Sequence, residues 1–234
     1  MIDALEGIAF VKSKFADPND DWPDIELHFA PCSEISDDGV IIRHVHGFTD
    51  QVWNEYYQPI VNRDSWSVFP TVLRPKSRGN IRLNSNDPYD KPLFNPNYYD
   101  DSYDLDVTVE AVKFILALGK TEAFQKLGSR FYDKPFPGCE NQPLWTDDYW
   151  KCWIKSATFT VGHMASTCKM GPDSDPTAVV TPELKFRGIK NLRVADASIM
   201  PSLISGNTNA PTVTIFIVFK MLHYVTFSFL DNDW

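Results

Sequence analysis

An α+β fold, an antiparallel sheet with flanking helices, follows from three features of this 234-residue chain. Two segments in the first third, Ile25–Ala30 and Ser65–Leu73, alternate apolar and polar residues with the period of a half-buried strand. From Asp104 to Leu118 the apolar residues Val107, Ala111, Phe114, Ile115 and Leu118 recur at helical spacing. The last third then changes to a short apolar segment, a tight turn and an Asn-rich helix start.

Taken in order, Trp22-Pro23-Asp24 punctuates the start of the first strand. The turn-forming run Arg74–Asn80 joins Ser65–Leu73 to Ile81-Arg82-Leu83, which reads as the return strand of a hairpin. Asn84 to Asn97 is polar and Pro-rich, with turns at Asp87-Pro88 and Asn95-Pro96, and reads as loop. Gly119 can stop the long helix, and Thr121 can cap a short one running to Leu127. Phe136–Pro143 reads as loop, and Asp147–Ser156 as a helix capped by Thr146 or Asp147. Asn191–Asp196 has the look of a buried strand, followed by a turn at Ser198–Pro201. Thr208 to Leu222 reads as a helix, with Pro211 tolerated in its first turn. There is no internal repeat and no low-complexity tract.

Composition sets the function classes aside. A net charge of −9 argues against a nucleic-acid partner, because phosphate binding needs a clustered positive surface. The apolar run Ile215–Phe229 is interrupted by Lys220 and His223, so a membrane span is rejected. Seven Trp, 9 Tyr and 16 Phe suit an aromatic-lined pocket, although any single ring more often fills a core. Four cysteines show no C-x-x-C spacing, so no zinc site is expected. Cys139 and Cys152 could bridge in an oxidising compartment, and buried reduced thiols fit equally well. His44-x-His46 on a strand would face one side as a metal pair does, but no third ligand is near, and no metal is expected. Ser166 and Thr167 lack any G-x-S-x-G context for a hydrolase.

The most informative residues lie in three blocks: Thr160-Val161-Gly162-His163-Met164-Ala165-Ser166-Thr167-Cys168-Lys169-Met170-Gly171-Pro172, Asn191 to Pro201, and Ser205-Gly206-Asn207-Thr208-Asn209-Ala210-Pro211-Thr212. Together they resemble the C-terminal signature of the glucose-methanol-choline (GMC) family of flavin oxidoreductases. Softer matches are Leu73–Gly79 with Ile81-Arg82-Leu83, and Asn95-Pro96-Asn97-Tyr98. The detail of the first hundred residues is most similar to the insect glucose-dehydrogenase-type branch, within a wider choline-dehydrogenase-like group. The resemblance implies a substrate-binding domain over residues 1–158. A catalytic segment, 159–234, would pack on an FAD domain, with its strand, turn and helix closing the flavin site. It also implies FAD as cofactor, a small alcohol or sugar as substrate, and oxygen, a quinone or another molecule as electron acceptor. By position His163 is the base that takes the hydroxyl proton, and Asn207 is its partner on the same alcohol oxygen. Asp196 and Ala197 would lie by the flavin's ribityl and pyrophosphate region, and Asn209, Ala210 and Pro211 near its ring.

The chemistry supports that assignment without the family. Oxidising an alcohol removes a proton and a hydride together, and imidazole is the side chain best suited to accept a proton near neutral pH. An amide beside it donates to the developing alkoxide without competing for the proton. His28, His44, His46 and His223 have no such context.

Three departures from the family pattern stand out. Ser166 replaces a common Gly, which matters if the position needs positive φ. From about Ile215 bulky residues replace small ones, and Asp231-Asn232-Asp233-Trp234 ends the chain abruptly. Met1–Gly7 is similar to the inside of a substrate domain, and the sequence holds no G-x-G-x-x-G, so the Rossmann-like FAD domain is expected to be absent. On that reading the chain alone holds FAD weakly or not at all and does not turn over. The alternatives are a catalytically inactive GMC-like product with a structural or binding role, and an aromatic-rich ligand-binding β module. No basic n-region with an apolar h-region follows Met1, and localisation stays open; secretion would need a leader on a longer form.

Overall fold

The computed structural model describes residues 5–230, with side chains through Lys220. The readings of Met1–Ala4, of the His223 side chain and of Asp231–Trp234 lie outside the described residues. The chain forms two compact units, Met1–Arg78 with Asn97–Thr160, and Gly79–Pro96 with Val161–Trp234.

The first unit is built on an antiparallel sheet, β1 (Gly7–Val11), β2 (Ile25–Ala30) and β3 (Ser67–Val72), with β2 in the centre. Register pairs Ile8 with His28 and Phe10 with Glu26 on one side, and His28 with Phe69 and Glu26 with Thr71 on the other. The expected hairpin does not form. β3 returns to β2, while β4 (Asn80–Arg82) pairs with β5 (Leu93–Asn95) inside the segment read as loop. Asp104 explains the break after β3. Its buried carboxylate accepts the N–H groups of Lys76 and Ser77 at 2.7 and 2.9 Å, fixing the chain away from a tight reversal. Ahead of β2, buried Asp24 likewise accepts Ser13 N and Oγ.

Between β2 and β3 the chain holds helical elements: α1 (Ile42–Val45), then α2 (Asp50–Val52) running into a π-helical turn at Trp53–Tyr57. His44 and His46 therefore sit in and just after α1, not on a strand, and their two-residue spacing does not put them on one face.

α3 (Ser102–Gly119) is buried along two stripes rather than one. Val107 and Ala111 pack with Ile25 and Leu27 of the sheet. Leu105, Val109 and Val112 face a second core containing Trp53, Tyr56, Phe136, Tyr149, Trp150 and Ile154. Phe114, expected in the stripe, is 40% exposed. Gly119 is required by close approach: a Cβ there would stand 2.5 Å from the Phe131 ring. α4 (Glu122–Lys126) follows Thr121, whose hydroxyl bonds back to Leu118 O instead of capping. α5 (Asp147–Ala157) is capped by Thr146, which accepts Tyr149 N at 3.2 Å. Cys139 and Cys152 form a disulfide joining the 136–143 loop to α5 inside the aromatic core.

In the second unit, Val180, Leu184 and Ile199 form a small core with Met170, Phe186, Val194, Ile215 and Phe219. α6 (Asn209–Leu230) ends it, with the bulky Ile215 and Phe219 turned into that core and Phe216, Ile217 and Val218 exposed. The segment Asn191–Asp196 is not a full strand. It makes one bridge, Lys185 to Arg193, flanked by Phe186 N to Leu192 O and Val194 N to Leu184 O. Pairing stops there because Asp196 caps a 3-10 turn at Ala197–Ile199 and bends the chain. No helix among the described residues is long and apolar enough to cross a membrane.

The disulfide closes a short loop, with a sequence separation of 13, so its removal should cost about 2–4 kcal/mol. Calorimetry with and without reductant should show a lower Tm for the reduced chain, and a Cys139→Ala/Cys152→Ala variant should melt low and ignore reductant.

Candidate active site

His163 sits on a loop with no regular element of its own, bounded by two residues in the left-handed region, Gly162 (φ 79°) and Ser166 (φ 75°). What holds the loop is backbone. Ser166 N donates to Ala197 O, Cys168 N to Ser198 O and Met170 N to Ile199 O, at 3.4, 2.9 and 2.7 Å. The histidine loop thus runs alongside the 3-10 turn whose first residues are the predicted Asp196 and Ala197. Asp196 Oδ1 accepts Ser198 N at 2.8 Å, which fixes that turn and leaves the carboxylate exposed.

At its other end the loop meets the start of α6. Thr208 Oγ1 lies 2.9 Å from His163 Nδ1. Thr208 is 7% exposed, while its neighbours Asn207, Asn209 and Ala210 are exposed, so one buried hydroxyl grips the half-buried imidazole inside an accessible rim. The Thr208 carbonyl accepts Thr212 N at 3.0 Å, opening the helix. Pro211 falls in the first turn, where its missing N–H would have had no intrahelical partner. The N–H groups of Asn209 and Ala210 are therefore the helix-start donors that face no intrahelical carbonyl, at the positive end of the helix dipole.

Thr208 is the contact that sequence reading missed. Its signal was present, a hydroxyl residue directly between Asn207 and the helix, yet a Thr there reads first as an ordinary cap. The other histidines lie elsewhere. His46 is stacked on Phe159 at 4.1 Å in the first unit, and His28 is buried on β2. Among the described residues no three His, Cys, Asp or Glu are grouped to hold a metal ion.

Residues 75–215 match the family described as GMC oxidoreductase. The chain belongs to the GMC oxidoreductase family. Among its relatives are a glucose dehydrogenase [FAD, quinone] of Drosophila pseudoobscura pseudoobscura, 37% identical over 89% of this chain and 32% of that protein, and the mitochondrial choline dehydrogenase of Homo sapiens, 34% identical over 90% of this chain and 31% of that protein. This GMC chain spans about a third of the length of these relatives. Among solved structures, pyridoxine 4-oxidase from Mesorbium loti shares the fold at a TM-score of 0.66 and 24% identity, over 87% of this chain and 35% of that one. A formate oxidase of Aspergillus oryzae RIB40 does so at a TM-score of 0.67 and 23% identity, over 86% and 31%.

Ser166 carries a side chain in a conformation that glycine adopts freely. Ser166→Gly relieves roughly 1–2 kcal/mol of left-handed strain and adds roughly 0.5–1 kcal/mol of unfolded-chain entropy. Urea unfolding should therefore show the variant more stable by about 0.5–1 kcal/mol. Beside this loop, Lys169 Nζ stands 2.9 Å from Asp175 Oδ2 and, with Thr177, holds that carboxyl at about 2, below the ordinary 3.8. The depressed value means that the contact stabilises the fold above pH 3.8 and is lost as pH falls through about 2. A carboxyl 13C titration should find a midpoint near about 2, and Lys169→Ala should raise it toward 3.8.

Proposed function

We propose that this GMC chain is the catalytic C-terminal part of an FAD-dependent oxidoreductase that oxidises a CH–OH group of an alcohol or sugar. The observation that carries this reading is the 2.9 Å contact of His163 Nδ1 with Thr208 Oγ1, at the mouth of an exposed helix start. With the Nδ1 proton donated to Thr208, the Nε2 lone pair of His163 is the one left for substrate. His163 then takes the hydroxyl proton at Nε2. Asn207, one residue before Thr208, donates its amide to the same oxygen and steadies the negative charge that grows there. The buried Thr208 hydroxyl keeps the imidazole from turning and spares that orientation the entropy of a free side chain.

The residues at the helix start fit FAD. Asn209 and Ala210 offer N–H groups at an exposed helix N-terminus, the arrangement suited to electron-rich ligand atoms, and α6 has no acidic side chain in its first turn to oppose them. Pro211 and Ala210 present small apolar surface to a ring, and Asp196 with Ala197 would serve the ribityl end. When bound, FAD supplies the hydride acceptor, and an oxygen, quinone or other acceptor then removes the electrons. The names of the relatives support a small hydroxylated substrate: glucose for one, choline for another, and an alcohol for an alcohol dehydrogenase [acceptor] of Pseudomonas putida.

In a flavin-loaded form that joins this chain to an FAD-binding domain, assayed by dye reduction with glucose and simple alcohols, His163→Ala should lower kcat about 10²–10⁴-fold. Thr208→Val should lower kcat about tenfold while leaving KM near its original value, the mark of a positioning residue. An unchanged rate in His163→Ala would sink the assignment.

A further inference from the structure

α5 carries a row of indoles that the reading above leaves unused. Trp150 and Trp153 stand one turn apart on the helix with ring centroids 5.3 Å apart, and Trp145, just ahead of the cap, lies 5.6 Å from Trp150. The row runs from inside to outside. Trp153 packs in the aromatic core on Phe136, which is 1% exposed, while Trp150 is 5% exposed and Trp145 44%. Trp145 holds its place against its own backbone preference. Its φ of 69° is left-handed, a conformation that a bulky side chain disfavours. Thr146 N and Oγ1 both donate to Pro143 O, at 3.3 and 2.7 Å, and close the turn that imposes it. Burial does not offset this strain, since the ring is nearly half exposed. What the turn secures is ring contact with Trp150, and with Phe131 at 6.2 Å.

Indole is among the side chains most readily oxidised by one electron, and it gives that electron up without first losing a proton. A phenol oxidises readily only as it sheds its proton. Burial raises Tyr56, Tyr57 and Tyr149 above the ordinary phenol range, so these neighbouring rings keep theirs. The Tyr149 ring, 5.1 Å from Trp150, also has its oxygen engaged by Phe136 N at 3.1 Å. The indoles are therefore the open path. Trp153 Nε1 is buried and has no hydrogen-bond partner among the described residues, so an oxidised Trp153 finds no acceptor for its one N–H proton. It stays a radical cation, the form that draws an electron from an adjacent ring, and that ring is Trp150.

We propose that Trp153, Trp150 and Trp145 form a relay that carries one-electron oxidation out of the aromatic core of the first unit to its surface. An oxygen-derived radical takes one electron from Trp153. Trp150 refills Trp153, Trp145 refills Trp150, and a soluble one-electron reductant of the ascorbate class refills Trp145. Each step moves one electron, and no bond in the chain forms or breaks. The proton that the reductant releases to water balances the one that the reduced radical takes up. The Cys139–Cys152 disulfide and Tyr56, which share this core, are left intact. Neither FAD nor His163 takes part, and a failed relay leaves the oxidoreductase reading as it is.

The test places an oxidant at the inner end of the row. Ser156 is exposed on α5, one turn past Trp153. In the full chain carrying Cys32→Ser and Cys168→Ser, Ser156→Cys supplies a thiol for a tethered ruthenium tris-bipyridine, which is flashed with a sacrificial electron acceptor. Without ascorbate, peptide mass mapping should find oxidised tryptophan chiefly at Trp145, and ascorbate should lower that product severalfold. Trp150→Phe breaks the row, so the Trp145 product should fall severalfold and appear at Trp153 instead. Should Trp150→Phe fold poorly, Trp145→Phe changes only an exposed ring and should move the product to Trp150 and Trp153. The relay is overturned if the parent's product stays at Trp153, if Trp150→Phe leaves the Trp145 product unchanged, or if Trp145→Phe leaves Trp150 and Trp153 no more oxidised than before.

Discussion

A histidine on an irregular loop has no ladder or helix to fix it, and the candidate active site depends on how that problem is solved. Three backbone hydrogen bonds, from Ser166, Cys168 and Met170 to Ala197, Ser198 and Ile199, hold the loop to the 3-10 turn. One side-chain contact, Thr208 Oγ1 to His163 Nδ1, then sets the ring. The backbone bonds fix where the histidine is, and the threonine contact engages Nδ1 and so orients the ring. Behind the turn, Ile199 joins Val180 and Leu184 in the core of the second unit, and Ile215 and Phe219 anchor α6 to the same core. The helix start that carries Thr208 and the turn that carries Ala197 therefore share one apolar support.

The first unit solves a different problem, that of a sheet of few strands needing cover. α3 does this by being apolar on two sides, one toward Ile25 and Leu27 and the other toward the aromatic core around Tyr56 and Trp150. The disulfide Cys139–Cys152 ties that second core across a loop without regular structure. In such surroundings burial pushes the Tyr56 and Tyr57 phenols well above their ordinary range, so these rings act as packing and hold their protons.

What was legible in the sequence was local. The β2 limits, α3, α5 and the Thr146 cap follow from alternation, helical spacing and capping chemistry over neighbouring residues. What failed was pairing at a distance. The turn residues Arg74–Asn80 do turn the chain, but nothing in them says that β3 belongs to β2, more than thirty-five residues upstream, or that β4 must find β5. β1 was missed because Gly7-Ile8-Ala9-Phe10-Val11 shows no alternation of polar and apolar residues, and the helical turns at 42–60 because their apolar residues are too few per element to show a period. Near the candidate site, the helix start around Asn209–Pro211 was legible. The Thr208 contact was not, since it joins residues 45 apart.

Among the places that break local rules, two have the same form. Ser166 holds a left-handed backbone that its side chain disfavours, and it does so beside the histidine, with its own N–H and that of Cys168 both engaged. Glu26 and His28 follow the alternation that puts polar side chains on the face away from Ile25 and Leu27, yet β2 is central and both residues are buried. In each case the fold would be more stable with an ordinary residue, glycine in one and leucine in the other. Such local costs persist where neighbouring structure over-determines them and concentrate at sites of function. Strain at Ser166 is a cost of holding His163 in place.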